Sequence, residues 1–171
     1  MEDLVKKIRD IPDFPKKGIL FRDITPLLQD SVSFRKAVEL LAGRYREKEL
    51  DLVVSVEARG FILGAAIAYE LGLGFVPVRK PGKLPYRVER AAYSLEYGED
   101  VVEIHQDAIK KGDRVLVFDD LLATGGTARA ICELVERLEG KIEGISFLIE
   151  LTSLKGREKL KKYEVFSLIK Y

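Results

Sequence analysis

The chain has no tryptophan and no asparagine, and among its 171 residues it holds one cysteine, one methionine, one histidine and two glutamines, Gln29 and Gln106. A lone cysteine, Cys132, excludes an intrachain disulfide framework and points to a reducing, cytoplasmic setting. His105 is equally alone, so no Cys/His constellation is present for zinc. No apolar run approaches the roughly 18 residues that span a bilayer, and the first residues lack the apolar stretch of a secretory signal. Net charge is also missing: 29 Lys and Arg against 28 Asp and Glu leave +1. Without a global basic field, neither nucleic acid nor a membrane is an expected partner. Scarce Asn, Gln, Cys and Met beside dense Lys and Glu is a bias reported for proteins of hot-living organisms. What remains is an ordinary globular composition, 47% hydrophobic and 33% charged, in a length that suits a single domain over 1–171.

Along the chain, the pattern predicts alternating strands and helices. Leu4, Ile8 and Ile11 recur at helical spacing over residues 3–11, ahead of Pro12 and Pro15. Residues 12–32, rich in Pro, Asp and Gly, read as an ordered loop or hood with one extended piece at 19–21. Ser33 is the candidate cap of a helix in which Phe34, Ala37, Val38, Leu41 and Tyr45 share a face. Strands are expected at 52–56, 75–78, 114–118, 142–151 and 165–169, with helices at 61–71 and about 127–138. Nearly continuous apolar strands alternating with helices require a parallel sheet covered on both sides. The expected fold is therefore α/β: an open, doubly wound, mainly parallel sheet with helices on both faces.

Residues 79–103 break this alternation. They carry Pro81, Gly82, Pro85 and Gly98, the basic residues Arg79, Lys80, Lys83, Arg87 and Arg90, and a Tyr-rich alternation over 93–97. A stretch this long inside one domain is usually functional, so it reads as a flexible lid hairpin, with a solvated hairpin as the plainer alternative.

The strongest local signal is the run over 115–127, Val-Leu-Val-Phe-Asp-Asp-Leu-Leu-Ala-Thr-Gly-Gly-Thr. A buried strand delivers Asp119 and Asp120 to its carboxyl end, where ligands bind in open α/β sheets. Ala123, Thr124, Gly125, Gly126 and Thr127 then form a turn at a helix N-terminus, a ready cradle for a phosphate. Two carboxylates beside such a cradle would repel the phosphate unless hydroxyls or a metal stood between them. A ribose 5′-phosphate meets that condition, its 2′- and 3′-hydroxyls donating to the acids. The run is neither a Walker A loop, because no Lys follows the glycines, nor a Gly-x-Gly-x-x-Gly fingerprint.

This run resembles the phosphoribosyl pyrophosphate signature of type I phosphoribosyltransferases. Further segments are similar to the adenine-specific members of that family: Phe14-Pro15, residues 18–26, Glu57-Ala-Arg-Gly-Phe61, residues 79–85, 93–98 and 150–157. The resemblance implies transfer of a phosphoribosyl group to adenine, with AMP and diphosphate as products and purine salvage as the role. It places the diphosphate loop at Glu57 and Ala58, whose peptide would be the family's strained one, with Arg59 catalytic beside the leaving diphosphate and Arg79, Lys80 and Lys83 as further positive charge. It makes residues 12–32 a base-binding hood, in which Phe21 stacks on the purine and the main chain at Leu20, with Arg22 nearby, reads its edge. A chain without Asn suits backbone readout of adenine, because a side-chain amide is a common alternative reader. Glu96 in the lid falls at the family's proton-transfer position, with Tyr97 packing on it and Glu103 as the fallback carboxylate. Mg²⁺ is the implied cofactor, held mainly by substrate oxygens and water with no metal motif in the chain, and a homodimer is the implied assembly. Ala58 departs from the Ser that many members carry, and residues 86–92 show no usable signature. His105 reads as an ordinary polar residue, Cys132 as packing, and the basic run 155–162 as a solvated helix face. The rivals are a 6-oxopurine phosphoribosyltransferase and a non-catalytic sensor of the activated sugar; the intact lid and the lack of room for a DNA-binding module weigh against the sensor.

Overall fold

The computed structural model describes residues 2–94 and 99–171. The chain opens with a short helix, α1 (Glu2–Val5), an antiparallel pair, β1 (Arg9–Pro12) and β2 (Leu20–Asp23), and two helices, α2 (Thr25–Gln29) and α3 (Ser31–Gly43). Next come β3 (Leu52–Val56), α4 (Arg59–Leu71) and β4 (Gly74–Val78), then a second antiparallel pair, β5 (Val88–Ser94) and β6 (Glu99–His105). The last part holds β7 (Arg114–Leu122), α5 (Gly126–Arg137), β8 (Lys141–Glu150) and β9 (Val165–Lys170), with 3-10 turns at Thr152–Leu154 and Gly156–Leu160.

Among the described residues, five strands lie side by side, all parallel, in the order β4, β3, β7, β8, β9. The chain therefore winds one way from β3 to β4 and the other way from β7 onward. Ligands of open α/β sheets bind at such a reversal, beyond the carboxyl ends of the strands, so β3 and β7 flank the expected crevice. Side chains of a strand alternate between faces. Val53, Leu116 and Phe118 pack in one core with Ala37 and Leu41 of α3 and Leu63 and Ile67 of α4. Val54, Val56, Val115 and Val117 pack in a second core with Ile131, Leu134 and Val135 of α5 and with Ala91, Val102 and Ile104 of the β5–β6 arm. Both faces are covered, and the expected doubly wound sheet is what forms.

Local differences have physical causes. The helix expected over 3–11 stops at Val5, because Ile11 pairs with Phe21 in the register of β1 on β2. Helix α2 was not expected; Pro26 in its first turn lacks the N–H that would be unpaired there. Asp30, not Ser33, caps α3: its carboxylate accepts the Ser33 N–H at 2.8 Å. β7 runs on past Phe118 to Leu122 because β8 pairs with it as far as Glu150, so the acid pair lies inside the strand's last turns of the ladder. The lysines of residues 155–162 are exposed as expected, but they stand on and beside a 3-10 turn rather than an α-helix, and Gly156 and Leu160 of that turn are buried.

The first antiparallel pair is tied to α2 through Asp23, which accepts from Thr25 Oγ1 at 2.6 Å and Thr25 N at 2.9 Å and is paired with Arg9. The Thr25 bonds lead in holding this carboxyl down at about 2. A depressed folded value stabilises the fold above the ordinary carboxylate value and is lost as pH falls through about 2. Asp23→Ala is expected to cost roughly 1–2 kcal/mol at pH 7, after allowance for solvent screening of the Arg9 pair. Urea titrations should show the deficit shrinking between pH 4 and pH 2.

Candidate active site

At the carboxyl end of β3 the chain passes through Glu57 and Ala58, joined by a cis peptide, into α4. The Glu57 side chain is 9% exposed and gathers cations: its Oε1 accepts the Lys80 N–H at 2.6 Å, and its Oε2 accepts from Arg79 at 3.0 Å and Lys83 Nζ at 3.1 Å. Burial pulls this carboxyl upward, but the three donors outweigh it and hold it below the usual range. Lys80 Nζ is turned to Asp100 and to the Tyr93 hydroxyl of the β5–β6 arm. Arg79 and Lys83 thus converge on the β3 end while the Lys80 ammonium turns to the arm, each already holding an internal carboxylate.

The acid pair stands on the neighbouring strand. Asp120 is 5% exposed and pairs with Arg59 at 2.8 Å. The same Arg59 guanidinium lies 4.8 Å from the centre of the Phe21 ring and donates to the Arg22 carbonyl at 3.4 Å. Asp119 accepts the Asp120 N–H at 2.8 Å. A Cβ on Gly60 would stand 2.9 Å from both Asp119 Oδ1 and Ser55 Oγ, so the start of α4 meets the acid pair only because Gly60 has no side chain. Burial raises the Asp119 carboxyl well above the usual range and the charge of Asp120 adds to the rise; burial raises Asp120 as well, against the opposing pull of Arg59.

After Leu122, Ala123 and Thr124 lead to Gly125, whose φ of 78° is the left-handed conformation that glycine takes without strain. Gly125 is the N-cap of α5, and the turn encloses a cavity of about 60 Å³ lined by Ala123, Thr124, Gly125, Gly126 and Thr127. The first backbone N–H groups of a twelve-residue helix have no intrahelical acceptor and carry the positive end of its dipole, which favours an anion there. Opposite, Phe21 packs edge-on against Phe14 at 5.0 Å and Leu20 is 45% exposed. The Arg22 guanidinium is turned to Asp10 and lies 3.7 Å from the centre of the Tyr171 ring.

Glu57, Arg59, Phe21, Arg22, Asp119, Asp120 and the 123–127 turn are therefore gathered around one end of the sheet. Glu96 and Tyr97 lie outside the described residues. Glu103, the fallback acid, is 1% exposed and spoken for: it accepts the Gly82 N–H at 3.1 Å and pairs with Arg90 at 2.7 Å, fixing the 79–83 segment to β6. His105 accepts the Tyr86 N–H at 3.4 Å, and Cys132 is buried with its thiol pushed up to about 12 by that burial. Two residues at this end escaped sequence reasoning, Gly60 and Tyr171. Gly60 stood inside a quoted motif, but only the packing shows that it must lack a side chain; nothing in the sequence places Tyr171 beside Arg22.

The chain is similar to known proteins over nearly its whole length. The model of the phosphoribosyl transferase domain matches residues 25–171. An adenine phosphoribosyltransferase of Syntrophotalea carbinolica is 60% identical over 171 residues, covering 100% of both chains. The crystal structure of adenine phosphoribosyltransferase from Thermoanaerobacter pseudethanolicus has a TM-score of 0.98 and 55% identity, covering 99% of each chain. That from Saccharomyces cerevisiae, complexed with an imino-altritol bisphosphate and adenine, has a TM-score of 0.92 and 43% identity over 98% of this chain and 97% of that one.

The raised carboxyls make the ionised acid pair a cost to the ligand-free fold. A group whose folded value lies above its unfolded one stabilises below the unfolded value, and that contribution is lost as pH rises through the folded value. Asp119→Asn keeps an acceptor for the Asp120 N–H and removes the repulsion. It is expected to raise Tm at pH 7.5 by roughly 3 °C or more, with the gap over wild type widening from pH 4 upward in calorimetric scans.

Proposed function

The chain belongs to the phosphoribosyl transferase family, and on that premise we propose how its crevice does the family's chemistry. The reaction is transfer of the 5-phosphoribosyl group from phosphoribosyl pyrophosphate to adenine, giving AMP and diphosphate, a step of purine salvage. The observation that carries the assignment of parts is one juxtaposition: an acid pair of buried Asp120 and half-buried Asp119, a glycine-containing helix N-terminus and an aromatic ring bridged to Asp120 by Arg59, all at the winding reversal of the sheet.

In this reading the 2′- and 3′-hydroxyls of the ribose donate to Asp119 and Asp120, and the 5′-phosphate takes the N–H groups and hydroxyls of Ala123, Thr124, Gly125, Gly126 and Thr127. Adenine stacks on Phe21 and is read by the main chain at Leu20. The Arg22 side chain is engaged by Asp10 and Tyr171, so its contribution is to hold the hood. Arg59 leaves Phe21 and Asp120 to the base and the ribose and meets the diphosphate, with the backbone at Glu57 and Ala58 and the cations of Arg79, Lys80 and Lys83. Adenine N9 forms the bond to C1′ as the bond from C1′ to the diphosphate oxygen breaks, the electron pair leaving with diphosphate. The proton on purine N7 passes to Glu96, the group at that position by family resemblance, with Tyr97 packing beside it. A lid over residues 79–103 that excludes water would protect the activated sugar from hydrolysis.

Among the described residues, no three His, Cys, Asp or Glu side chains form a metal cage. The donor set fits a Mg²⁺ held chiefly by substrate oxygens and water, with the hard oxygens of Asp119 and Asp120 as the chain's nearest contribution. When bound, such an ion offsets charge on the phosphate oxygens. Among the described residues no helix is long and apolar enough to cross a membrane. A cytoplasmic homodimer completes the proposal; the cavity of about 610 Å³ on α3 and α4, where Phe34, Val38, Ala66 and the 89% exposed Tyr69 stand among Arg35, Glu39 and Glu70, offers a mixed apolar and charged surface to a second copy.

Incubation with phosphoribosyl pyrophosphate, Mg²⁺ and each purine separately should yield AMP from adenine as the principal nucleotide. IMP, GMP or XMP in its place would point to a 6-oxopurine enzyme, and no nucleotide from any base to a sensor. Asp120→Asn should raise KM for the activated sugar by about tenfold or more while leaving KM for adenine within about twofold, since a charge-assisted hydrogen bond is worth roughly 1.5–3 kcal/mol. Equal changes in both would refute the carboxylate–hydroxyl assignment.

A further inference from the structure

The segment after β8 takes no part in the chemistry above, yet it is built against the turn that is. Gly156 lies so close behind that turn that a methyl group on it would overlap the Ala123 carbonyl oxygen and stand 2.9 Å from the Gly125 nitrogen. The fit is reciprocal, for a methyl group on Gly125 would overlap the Gly156 carbonyl and stand 3.2 Å from its Cα. On both sides the atoms met are mainly backbone, which has no rotamer to move out of the way. The next residue fixes Gly156 to the sheet. Arg157 forks onto Glu150, with Nε 2.9 Å from Oε1 and the terminal nitrogen 2.6 Å from Oε2, and it donates to the Val165 carbonyl at 2.7 Å and to Ser167 Oγ at 3.2 Å. Glu150 is 5% exposed at the end of β8, and Val165 and Ser167 belong to β9. Leu160 closes the same turn beneath with no exposure at all. A planar fork engaging two strands is a geometry that Lys does not reproduce.

We propose that Gly156 and Arg157 form a rigid backing for the 123–126 turn, with Arg157 a positioning residue that acts through Gly156 to hold the turn's N–H groups where the 5′-phosphate binds. The proposal rests on the assignment of that turn to the phosphate. A glycine-rich turn has wide conformational freedom on its own, and backbone donors confer binding only when their positions are set in advance. The backing supplies that setting: β8 and β9 hold Arg157, Arg157 holds Gly156, and Gly156 holds Gly125 and Ala123. The carboxyl of Glu150 is kept below its usual range chiefly by Arg157, so the pair stays ionised at neutral pH.

The test compares two ligands that differ only in the phosphate. Calorimetric Kd values for AMP and for adenosine would be measured on wild type, Gly156→Ala, Arg157→Met and Arg157→Lys, with Tm recorded for each. Gly156→Ala and Arg157→Met are expected to weaken AMP by about tenfold or more, the loss of at least one charge-assisted contact, and to leave adenosine within about twofold. Arg157→Lys should recover only part of the AMP affinity. KM for the activated sugar should rise in step, with KM for adenine unmoved. Equal weakening of AMP and adenosine, or an unchanged AMP Kd in a folded variant, would overturn the proposal. If Gly156→Ala does not fold, the two Arg157 variants carry the same comparison. Wild type that binds adenosine and AMP equally would instead strike the phosphate assignment itself, and the backing with it.

Discussion

Asp119 and Asp120 stand side by side at the end of the central strand, Asp120 buried and Asp119 half-buried, where desolvation raises both carboxyls and the charge of Asp120 adds to the cost of ionising Asp119. Two such anions persist at neutral pH only if donors or positive charge stand opposite them. In the free chain Arg59 fills that need from the first turn of α4, and it reaches Asp120 because Gly60 lets the helix come down onto the strand ends. The acids, the helix start and the hood ring that Arg59 also covers are thus one electrostatic unit rather than three motifs. Relaxing the acids would stabilise the fold and remove the feature that, on the proposed function, selects a ligand rich in hydroxyls, a trade common at functional sites.

The sheet decides where this unit can exist. Because β3 and β7 are neighbours although β4 and the β5–β6 arm lie between them in the chain, the ends of two sequence-distant strands meet across the reversal. Close approach there is made with missing side chains: Gly64 as well as Gly60 faces Ser55, and a Cβ on Gly64 would stand 2.8 Å from the Ser55 hydroxyl. Helix α4 therefore packs nearer to β3 than a helix with side chains at both positions could. The loop between them is held accordingly, with the Glu57 N–H bonded to the Val78 carbonyl at 3.0 Å and its carboxylate to the 79–83 segment.

The sheet strands were legible because each is a short apolar run bounded by turn residues, a signal that survives without tertiary context. The acid pair and the 123–127 turn were legible for a different reason: their residue types are poor choices for a buried strand end unless a ligand is there to answer them. What could not be read was whatever depends on a partner distant in sequence. Ile11 carried a helical spacing that the pairing with Phe21 overrode, and Asp30 took the cap that Ser33 offered. Gly156 and Arg157 sat in a run of lysines that looks solvated, because periodicity carries no information about a backbone packed against the sequence-distant Gly125 or a fork onto Glu150. Nor does residue spacing show that the Arg22 guanidinium meets Asp10 and the Tyr171 ring.

A chain with a net charge of +1 is an unpromising receptor for a ligand carrying several phosphate charges. The arrangement of pairs resolves this. Arg59 is held by Asp120, Arg79 and Lys83 by Glu57, and Lys80 by Asp100, so the cations near the crevice are neutralised locally and do not advertise a basic surface. Under the proposed assignment of the site, binding a phosphorylated sugar is an exchange of partners, and its free energy is the difference between internal and external pairs rather than their sum. An exchange of this kind discriminates. Inorganic diphosphate alone could draw Arg59 away, but it would leave Asp120 buried and unanswered, a penalty of several kcal/mol by general experience with broken buried pairs. A ligand that brings hydroxyls to the acids at the same time as phosphate oxygens to the arginine avoids that penalty, so on the proposed assignment the internal pairs would select for a sugar and a diphosphate joined in one molecule.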